Sequence, residues 1–487
     1  MRVARVALGL AITMAAAAAA CGGGSDAPTL GASGPGRNGS TQPPPADSAD
    51  AAPDGPTSNG GLARWSAALG GPQVDVGFAV AGDSAGDTVV AGSFQGTAEL
   101  GGVPMTSAGA TDLFVAKYGA DGKAQWVRRF GGAADDMATG VVVAPSGSIW
   151  IAGASAGALD FGTGPLGQGG AAGTFLVELD RFGNVMLAKA FGGASYGTLV
   201  GIASGGDGSI ALCGAYQGTI DLGGGPLPAA QGTFDAFVAK LDPGGTLVFA
   251  QHLGGTDTDL AQGVAVGPQG EVGVIGTFAG TGTFGGSAVT SAGDSDVFAS
   301  AFGPTGTALW TKTYGSPGHD DGRAVAFDPS GDVVLGGGFA DAVDFGAGPA
   351  SSHGATDAFV VKLDTTGALS WAQTFGGPGT DEAVSLASDS LGEPLVGGLF
   401  EQTMTVGVTP FTSAGDRDIF ALKLGADGSH VWSKHFGGAE ADEGVGVGYD
   451  GYGRALVTGY FRTQVDFGSG VQASAGDDDV FVATFDP

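Results

Sequence analysis

From residue 61 to its end, the chain consists of short stretches in which apolar and polar residues alternate, separated by turn residues. Residues 323–339 alternate in this way around an Asp-Pro-Ser-Gly turn at 328–331. A period of two predicts β-strands. Pro presets φ at the first turn position and Gly accepts the left-handed conformation, so this stretch predicts a tight hairpin. Residues 358–375, around an Asp-Thr-Thr-Gly turn at 364–367, predict a second hairpin of the same kind.

The two hairpins belong to a repeat of about 61 residues. One repeat position, shortly before a Gly-Gly step, is aromatic or aliphatic in every copy, at spacings of 61, 61, 62, 61, 61 and 61: Trp65, Trp126, Leu187, Phe249, Trp310, Trp371 and Trp432. Another position is Phe in all copies: Phe114, Phe175, Phe237, Phe298, Phe359, Phe420 and Phe481. Seven copies of four strands, with no helical stretch between them, predict an all-β, seven-bladed β-propeller with four-stranded blades.

The two ends of the repeat region complement each other. The chain stops at Pro487, just after the third strand of its seventh copy, while residues 62–69 precede the first complete copy. We therefore expect residues 62–69 to supply the fourth strand of the last blade. This pairing would close the ring and remove an exposed sheet edge.

The repeat motif, as in residues 322–331 and 356–364, resembles the SBBP family of bacterial seven-bladed β-propeller repeats. The resemblance covers residues 62–487. It implies a binding or scaffold role rather than a reaction. The second and third copies depart most from the pattern, because Ser155 replaces the usual strand aromatic and Leu187 replaces Trp.

Residues 1–20 have the features of a targeting segment. Two arginines precede an uncharged apolar run at 6–20. This run is shorter than the roughly 20 residues that a helix needs to span a bilayer. Small residues before Cys21 resemble the bacterial lipobox, which implies lipid attachment at Cys21, although Ala18 stands where Leu is usual. Gly22 resembles the outer-membrane sorting pattern. We expect a bacterial cell-envelope lipoprotein, anchored by its lipid to the outer membrane; an ordinary secretory signal with an incidental Cys is the alternative.

Residues 21–60 are expected to form a disordered tether. They are rich in Gly, Ser, Ala, Asp and Pro and contain almost no large apolar side chains, so they cannot bury a core. The predicted organisation is thus a signal peptide (1–20), a tether (21–60) and a propeller (61–487).

Composition and net charge exclude some classes of binding partner. Gly accounts for 97 residues, but 43% of the chain is hydrophobic and 28 residues are Phe, enough for a substantial core. Without residues 1–20, which hold two Arg and no acid, the chain has 17 basic and 49 acidic residues, a net charge of 17 − 49 = −32. Such a field repels phosphates, so we expect no nucleic-acid partner and no membrane contact beyond the lipid. The negative charge favours cationic partners or metal ions, or it simply keeps the protein soluble.

No catalytic constellation is recognisable. The five histidines show no zinc-chelating spacing, and no nucleophile elbow, P-loop or paired-carboxylate motif is present. Turns such as residues 83–87 resemble calcium loops but lack the terminal Glu, so hairpin turns explain them. Cys213, at a small or apolar strand position, is expected to be a buried, inert thiol. We expect no catalytic residue and no organic cofactor.

Two columns of aspartates are the candidate ligand residues. One precedes the first strand of each copy: Asp75, Asp136, Asp259, Asp320, Asp381 and Asp442, with Gly197 in the third copy. The other opens the third strand: Asp112, Asp235, Asp296, Asp357, Asp418 and Asp479, with Gly173 in the second copy. Members of the two columns stand 24 residues apart, as do the two gaps, which predicts pairs across neighbouring blades. Each Asp could accept backbone N–H groups in its own loop, or a pair could share a cation such as calcium.

The sequence therefore predicts a monomeric, non-catalytic envelope lipoprotein that presents a propeller for protein or glycan binding. An enzyme, either a lyase or a hydrolase working in the central funnel, is the main alternative. Convergence of His, Arg and carboxylates in that funnel from several blades would favour it. A structural surface or adhesion component is a further alternative.

Overall fold

The computed structural model describes residues 60–166, 173–191, 197–407 and 409–487. The predictions for the signal segment, Cys21 and the tether up to residue 59 fall outside these ranges. All regular structure within them is β-strand. No helix among them is long and apolar enough to cross a membrane.

The described chain forms seven antiparallel blades of four main strands each, and we number the strands of each blade from one (innermost) to four (outermost). The first strands are Val76–Gly82, Asp136–Val143, Gly197–Ser204, Asp259–Val266, Asp321–Phe327, Glu382–Ser388 and Glu443–Tyr449. The second strands are Thr88–Leu100, Ile149–Ser155, Ile210–Tyr216, Val272–Phe278, Val333–Phe339, Pro394–Phe400 and Ala455–Phe461. The third strands are Val103–Tyr118, Gly173–Leu179, Asp235–Leu241, Asp296–Phe302, Asp357–Leu363, Asp418–Leu424 and Asp479–Phe485. The fourth strands are Ala124–Phe130, Val185–Phe191, Leu247–Gly255, Ala308–Tyr314, Leu369–Phe375, His430–Phe436 and Ala63–Leu69.

The first strands surround a central channel. Each packs against the first strand of the next blade, and the first strand of blade 7 packs against that of blade 1. The hydrophobic core lies between neighbouring sheets: one buried cluster joins Ile275 and Val297 of blade 4 to Val325, Leu335 and Phe359 of blade 5. A single blade could not bury both its faces, so the ring is the stable unit. The predicted seven-bladed β-propeller is confirmed.

The two ends of the channel differ. Strands one and three run towards short turns, and we call this end the turn face. The opposite end, the loop face, carries the connections between blades and those between strands two and three. On the loop face the structure adds hairpins that the sequence did not predict: Leu159–Asp160 with Pro165–Leu166, Thr281–Phe284 with Ser287–Thr290, Ala342–Asp344 with Pro349–Ser351, Thr403–Val406 with Thr409–Thr412, and Gln464–Asp466 with Val471–Ala473.

These hairpins explain the Phe column of the third strands. Phe284 and Phe467, each from a hairpin, pack against Phe298 and Phe481 with ring centroids 4.4 Å apart in both cases. The hairpins also pair with the end of strand four, as in Gly254 with Thr283. Gly254 belongs to blade 3 and Thr283 to the hairpin of blade 4, so the hairpin covers part of the outer edge of the preceding blade at the loop face.

The aromatic column of the fourth strands joins neighbouring blades at the turn face. Trp65, Trp310 and Trp371 lie over the glycine of the next turn between strands three and four, namely Gly122, Gly367 and Gly428. A Cβ at Gly122 would come within 2.8 Å of the Trp65 ring, and Gly122 has φ +76°. Only glycine satisfies both the close approach and the backbone conformation.

The closure predicted for blade 7 is present. Ala63–Leu69 pairs antiparallel with Asp479–Phe485 as the outermost strand, with Ala68 opposite Phe481. The Gly61 N–H donates to the Asp486 carbonyl at 3.0 Å, and the Asp486 N–H donates to the Leu62 carbonyl at 2.8 Å. The intact turn of blade 5 shows the same two bonds, at 2.9 and 2.8 Å. The two ends of the described chain thus rebuild a turn between strands three and four.

Cys213 lies on the second strand of blade 3 and is fully buried. Burial raises the pKa of its thiol to about 12. Because the thiolate is the reactive form, this cysteine is inert near neutral pH, as expected.

Candidate functional site

The twelve aspartates of the two columns lie directly beneath the loop face rather than on it. All are buried, and the most exposed of them, Asp296, retains only 3% of its accessible surface. These carboxylates are therefore not exposed on the protein surface. Their role follows from their hydrogen bonds.

First-column aspartates tie two backbone segments together. Asp75 accepts the Gly71 N–H at 2.6 Å on Oδ2 and the Gln95 N–H at 3.0 Å on Oδ1. Asp320 repeats this geometry in blade 5, with Ser316 at 2.6 Å and Ala340 at 3.0 Å. Each carboxylate thus joins the connection from the previous blade to the end of strand two of its own blade.

Third-strand aspartates cap the connection that precedes them. Each accepts the N–H of the residue four positions earlier, at 2.9 Å for Asp112 and 2.8 Å for Asp296. Its carboxylate also packs against the glycine that opens the Gly-Gly step, which is Gly315-Ser316 in blade 4. A Cβ at Gly315 would lie 2.0 Å from Asp296 Cγ. This contact explains why the first residue of that step is glycine.

The predicted pairing across blades is observed. We call each meeting of a third-strand aspartate with the first-column aspartate of the next blade a junction; the two stand 24 residues apart, except that Asp479 meets Asp75 where the ring closes. Within a junction the first-column N–H donates to the carbonyl just before the third-strand aspartate, for instance Asp75 to Asp478 at 2.7 Å and Asp320 to Ser295 at 2.9 Å. The junction that lacks both aspartates, at Gly173 and Gly197, adjoins segments 167–172 and 192–196, which lie outside the described ranges.

Several of the paired carboxylates hold on to protons more strongly than isolated ones. Burial, with a further contribution from the charge of the partner, raises the pKa of Asp75, Asp259, Asp381 and Asp418 to about 7. Burial also raises the pKa of Asp296, Asp442 and Asp479 to about 6. The pKa values of Asp136 and Asp320 are raised as well, again mainly by burial.

Three junctions contain a base beside the third-strand carboxylate. Arg129 contacts Asp112 at 2.5 Å, His252 contacts Asp235 at 2.6 Å, and His353 contacts Asp357 at 2.9 Å. His252 and His435 occupy the same repeat position, opposite the third-strand Phe of blades 3 and 6. His435 instead stacks on Phe411, with ring centroids 4.7 Å apart.

Lysines fill the calcium-like turns on the turn face. The Lys117 ammonium lies 2.8 Å from Asp83 and 3.1 Å from Asp87, and it is almost completely buried. In blade 6, Lys423 makes the equivalent contacts with Asp389 and Glu393. The side chain supplies the positive charge that a cation would bring, so these are hairpin turns, as the sequence indicated.

A second polar site, which sequence reasoning missed, lies in the central channel. The residue after each first-column aspartate lies on strand one: Val76, Met137, Thr198, Leu260, Asp321, Glu382 and Glu443. It is acidic only in blades 5–7. Arg323, two residues further along blade 5, lies 2.6 Å from Asp321 and donates to Gln262 of blade 4 at 2.9 Å and to Glu382 of blade 6 at 3.3 Å.

The same network continues into blade 7. Arg417 donates to Glu443 at 3.1 Å and to Glu401 at 3.0 Å. We call these groups, drawn from four consecutive blades, the channel belt: Gln262, Asp321, Arg323, Glu382, Glu401, Arg417 and Glu443. Glu382 and Glu443 keep 19% of their side-chain surface and Arg417 keeps 32%, so solvent reaches them. The signal in the sequence was an acid at one position in three consecutive copies.

A cleft of about 540 Å³ opens at the rim between blades 5 and 6, lined by polar groups that include His353, Thr374, Thr405 and Ser429. Within the described ranges, no group of three or more His, Cys, Asp or Glu side chains is arranged to hold a metal ion.

No family model and no curated protein matches this chain. Membership of the SBBP family therefore stays a prediction. Among solved structures, the chain is similar to the Pan2 WD40 domain of Neurospora crassa, at 10% identity over 86% of this chain and 90% of that one, with a TM-score of 0.41. Sqt1 from Chaetomium thermophilum matches at 13% identity over 88% and 100%, with a TM-score of 0.40. A polysaccharide lyase of the ulvan lyase family matches at 12% identity over 85% and 95%, with a TM-score of 0.39.

Proposed function

We propose that this protein is a non-catalytic lipoprotein of the bacterial cell envelope, whose propeller binds a protein segment at the loop-face end of the central channel. The channel belt carries the proposal. Charged side chains from three consecutive blades converge there, and those of Glu382, Glu443 and Arg417 remain accessible to solvent. The buried aspartates, in contrast, are engaged in holding loops together.

The charge of the channel belt indicates the chemistry of the partner. Four carboxylates, those of Asp321, Glu382, Glu401 and Glu443, face two guanidinium groups, and the whole chain carries a net charge of −30. On the other side of the channel, blade 2 carries the half-buried, apolar Met137 at this position of strand one. A segment with Lys or Arg side chains would place its ammonium or guanidinium groups on the carboxylates and its aliphatic stems on the apolar side.

The binding test compares two variants that lose equal charge on opposite faces. A Glu382→Gln, Glu443→Gln variant should bind a fluorescent oligo-arginine peptide at least about tenfold more weakly than the parent chain, as expected when two charge-assisted contacts are lost. The control, Asp180→Asn with Asp242→Asn, alters exposed turn-face residues that cap their own turns. Fluorescence anisotropy gives both Kd values, and an equal loss in both variants would point to non-specific attraction.

An enzyme is the second candidate, because Arg and carboxylates do converge in the channel. A lyase or hydrolase would need a group free to move a proton. The channel-belt carboxylates each accept from a guanidinium group. Burial, together with the nearby charge of Glu443, raises the pKa of Tyr460, so that its phenol stays protonated near neutral pH. Loss of turnover of an acidic polysaccharide in the Glu382→Gln variant would support the enzyme instead.

The lipid anchor is tested at Cys21. A Cys21→Ala variant should give a soluble or uncleaved product, because the thiol is the lipid acceptor implied by the lipobox resemblance. Intact-mass analysis and membrane fractionation measure the outcome. Cys213→Ala is the control, since that thiol is buried and should not affect processing. Normal processing and anchoring of the Cys21→Ala variant would refute the lipoprotein assignment.

A further inference from the structure

We propose that the cleft between blades 5 and 6 binds a neutral oligosaccharide. The cleft lies on the outer rim and is separate from the channel belt, so the inference goes beyond the proposed function. One wall is the fourth strand of blade 5, Leu369–Phe375. Blade 6 forms the other wall, from its loop-face hairpin to its turn between strands three and four. The volume of about 540 Å³ lies within the roughly 300–1,000 Å³ that small-molecule sites span.

Two histidines distinguish this cleft from the equivalent places in the other blades. His353 lines it from the connection between strands two and three of blade 5, and His430 lines it from the start of strand four of blade 6. The other copies have Ala, Gln or Gly at the position of His353 and Ala, Val or Leu at that of His430. Imidazole groups from two unrelated repeat positions thus meet in one cleft.

Gln373, in the same lining, does not bridge two blades as its counterparts do. At the same repeat position, Arg128, Lys189 and Gln251 donate to a carbonyl in the next blade's turn between strands three and four. Gln373 makes no hydrogen bond through its side chain within the described part of the chain. Its amide is therefore available to donate to a ligand and to accept from one.

Two hydroxyl groups complete this set. Thr374 on strand four of blade 5 and Thr405 on the hairpin of blade 6 line the cleft, and their hydroxyls bond to no other group in the described ranges. Amide and hydroxyl groups both donate and accept, and each hydroxyl group of a sugar does the same. Phe375 and Leu424 add apolar atoms to the lining, against which the C–H groups of a sugar ring can pack.

The charges around the cleft favour a neutral ligand. No Lys or Arg is among the described residues that line it, and the net charge of −30 repels anions. The carboxylate in the lining, that of Asp357, is buried. It accepts the His353 N–H at 3.1 Å and lies 2.9 Å from Nδ1 of the same residue. This carboxylate is therefore already engaged and does not offer a site to a cationic ligand.

The test measures binding of the labelled full chain to an array of short neutral oligosaccharides, with sialylated and sulfated ones beside them. The parent should bind a neutral member in preference to the acidic ones. Isothermal titration with that member then compares a Thr374→Ala, Thr405→Ala variant with a control, Thr313→Ala, Thr283→Ala. The control makes the same changes at the same two repeat positions in blade 4, where both threonines are exposed. The cleft variant should bind at least about tenfold more weakly, as expected for two lost hydrogen bonds, and the control should bind like the parent.

A second variant removes the free amide without weakening the fold. Gln373→Lys introduces the residue that blades 2, 4 and 6 have at this position. Its ammonium group should reach the turn of blade 6, as Lys189 reaches that of blade 3, so that saccharide binding is lost while Tm is kept. The proposal is overturned if the parent binds no neutral oligosaccharide, or if the cleft variant and the blade 4 control lose affinity equally. Oligo-arginine binding at the channel belt is measured in the same variants and should not change, so either proposal can fail alone.

Discussion

A chain that begins at residue 70 is expected to melt far below one that begins at residue 60. The longer truncation removes the strand Ala63–Leu69 and leaves the third strand of blade 7 with an unpaired edge. It also removes the contact between Trp65 and Gly122 of blade 1. Leu69, which keeps 1% of its surface, is lost from the core. The lost ladder and core contacts should lower the free energy of unfolding by several kcal/mol, on the order expected for such contacts. Thermal unfolding of the two truncations measures the difference.

A point variant separates the strand from its tryptophan. Trp65→Ala in the longer chain keeps the ladder with the third strand of blade 7 but removes the contact with the neighbouring blade. It should lower stability by only part of the full loss, about 2 kcal/mol for a half-buried aromatic. Equal melting curves for the chains that begin at 60 and at 70 would show that the ring is not closed by this strand.

Acidification from about pH 8 to about pH 5 is expected to stabilise the propeller when calcium is absent. In the folded chain, burial raises the pKa of several junction aspartates to about 6 or 7, against an ordinary value of 3.8. Between these values the folded chain binds protons that the unfolded chain releases. Stability is therefore greatest at the acidic end of this window and falls as the pH rises through 6 to 7. The increase in Tm on acidification should be on the order of 5 °C or more.

The ion pairs of the turn face do not cancel this effect. Burial would raise the pKa of Asp83, but hydrogen bonds from Lys117 and from the backbone lower it overall. Its contribution to stability is lost only below about pH 4, outside the measured window. An Asp75→Asn, Asp479→Asn variant removes one junction and should flatten the Tm profile measurably. A parent Tm that falls steadily from about pH 8 to about pH 5 in EGTA would contradict the expectation.

The architecture was predictable because its determinants are local and recur. Strand alternation and turn residues act within a few positions, and seven copies at nearly constant spacing reveal the blades. The closing strand followed from the offset of residues 62–69. The pairing of Asp296 with Asp320, and of its counterparts, followed from the constant separation of 24 residues. Their role as backbone acceptors was one of the two interpretations, and the structure shows those hydrogen bonds.

The channel belt was not predictable by the same reasoning. A search for what the copies share passes over residues that differ between them, and Arg323 has no counterpart of its kind in the other blades. Arg129 and His252 share a repeat position but not a residue type, so their common role appears only when both are seen beside an aspartate. The sequence pattern did not predict the loop-face hairpins because each of their strands is only two to four residues long.

The rebuilt turn at residues 486–487 and 60–61 has a mechanical consequence. A pull on the proposed tether would enter the propeller at Gly60 and pass towards the loop face along the axis of Ala63–Leu69, which pairs antiparallel with Asp479–Phe485. In that direction the rungs of the ladder are loaded together in shear, instead of being peeled apart one after another. With a ligand held on the loop face and a lipid at the other end of the tether, tension would run along the strands. The hydrogen bonds between Ala63–Leu69 and the third strand of blade 7 would then resist this tension.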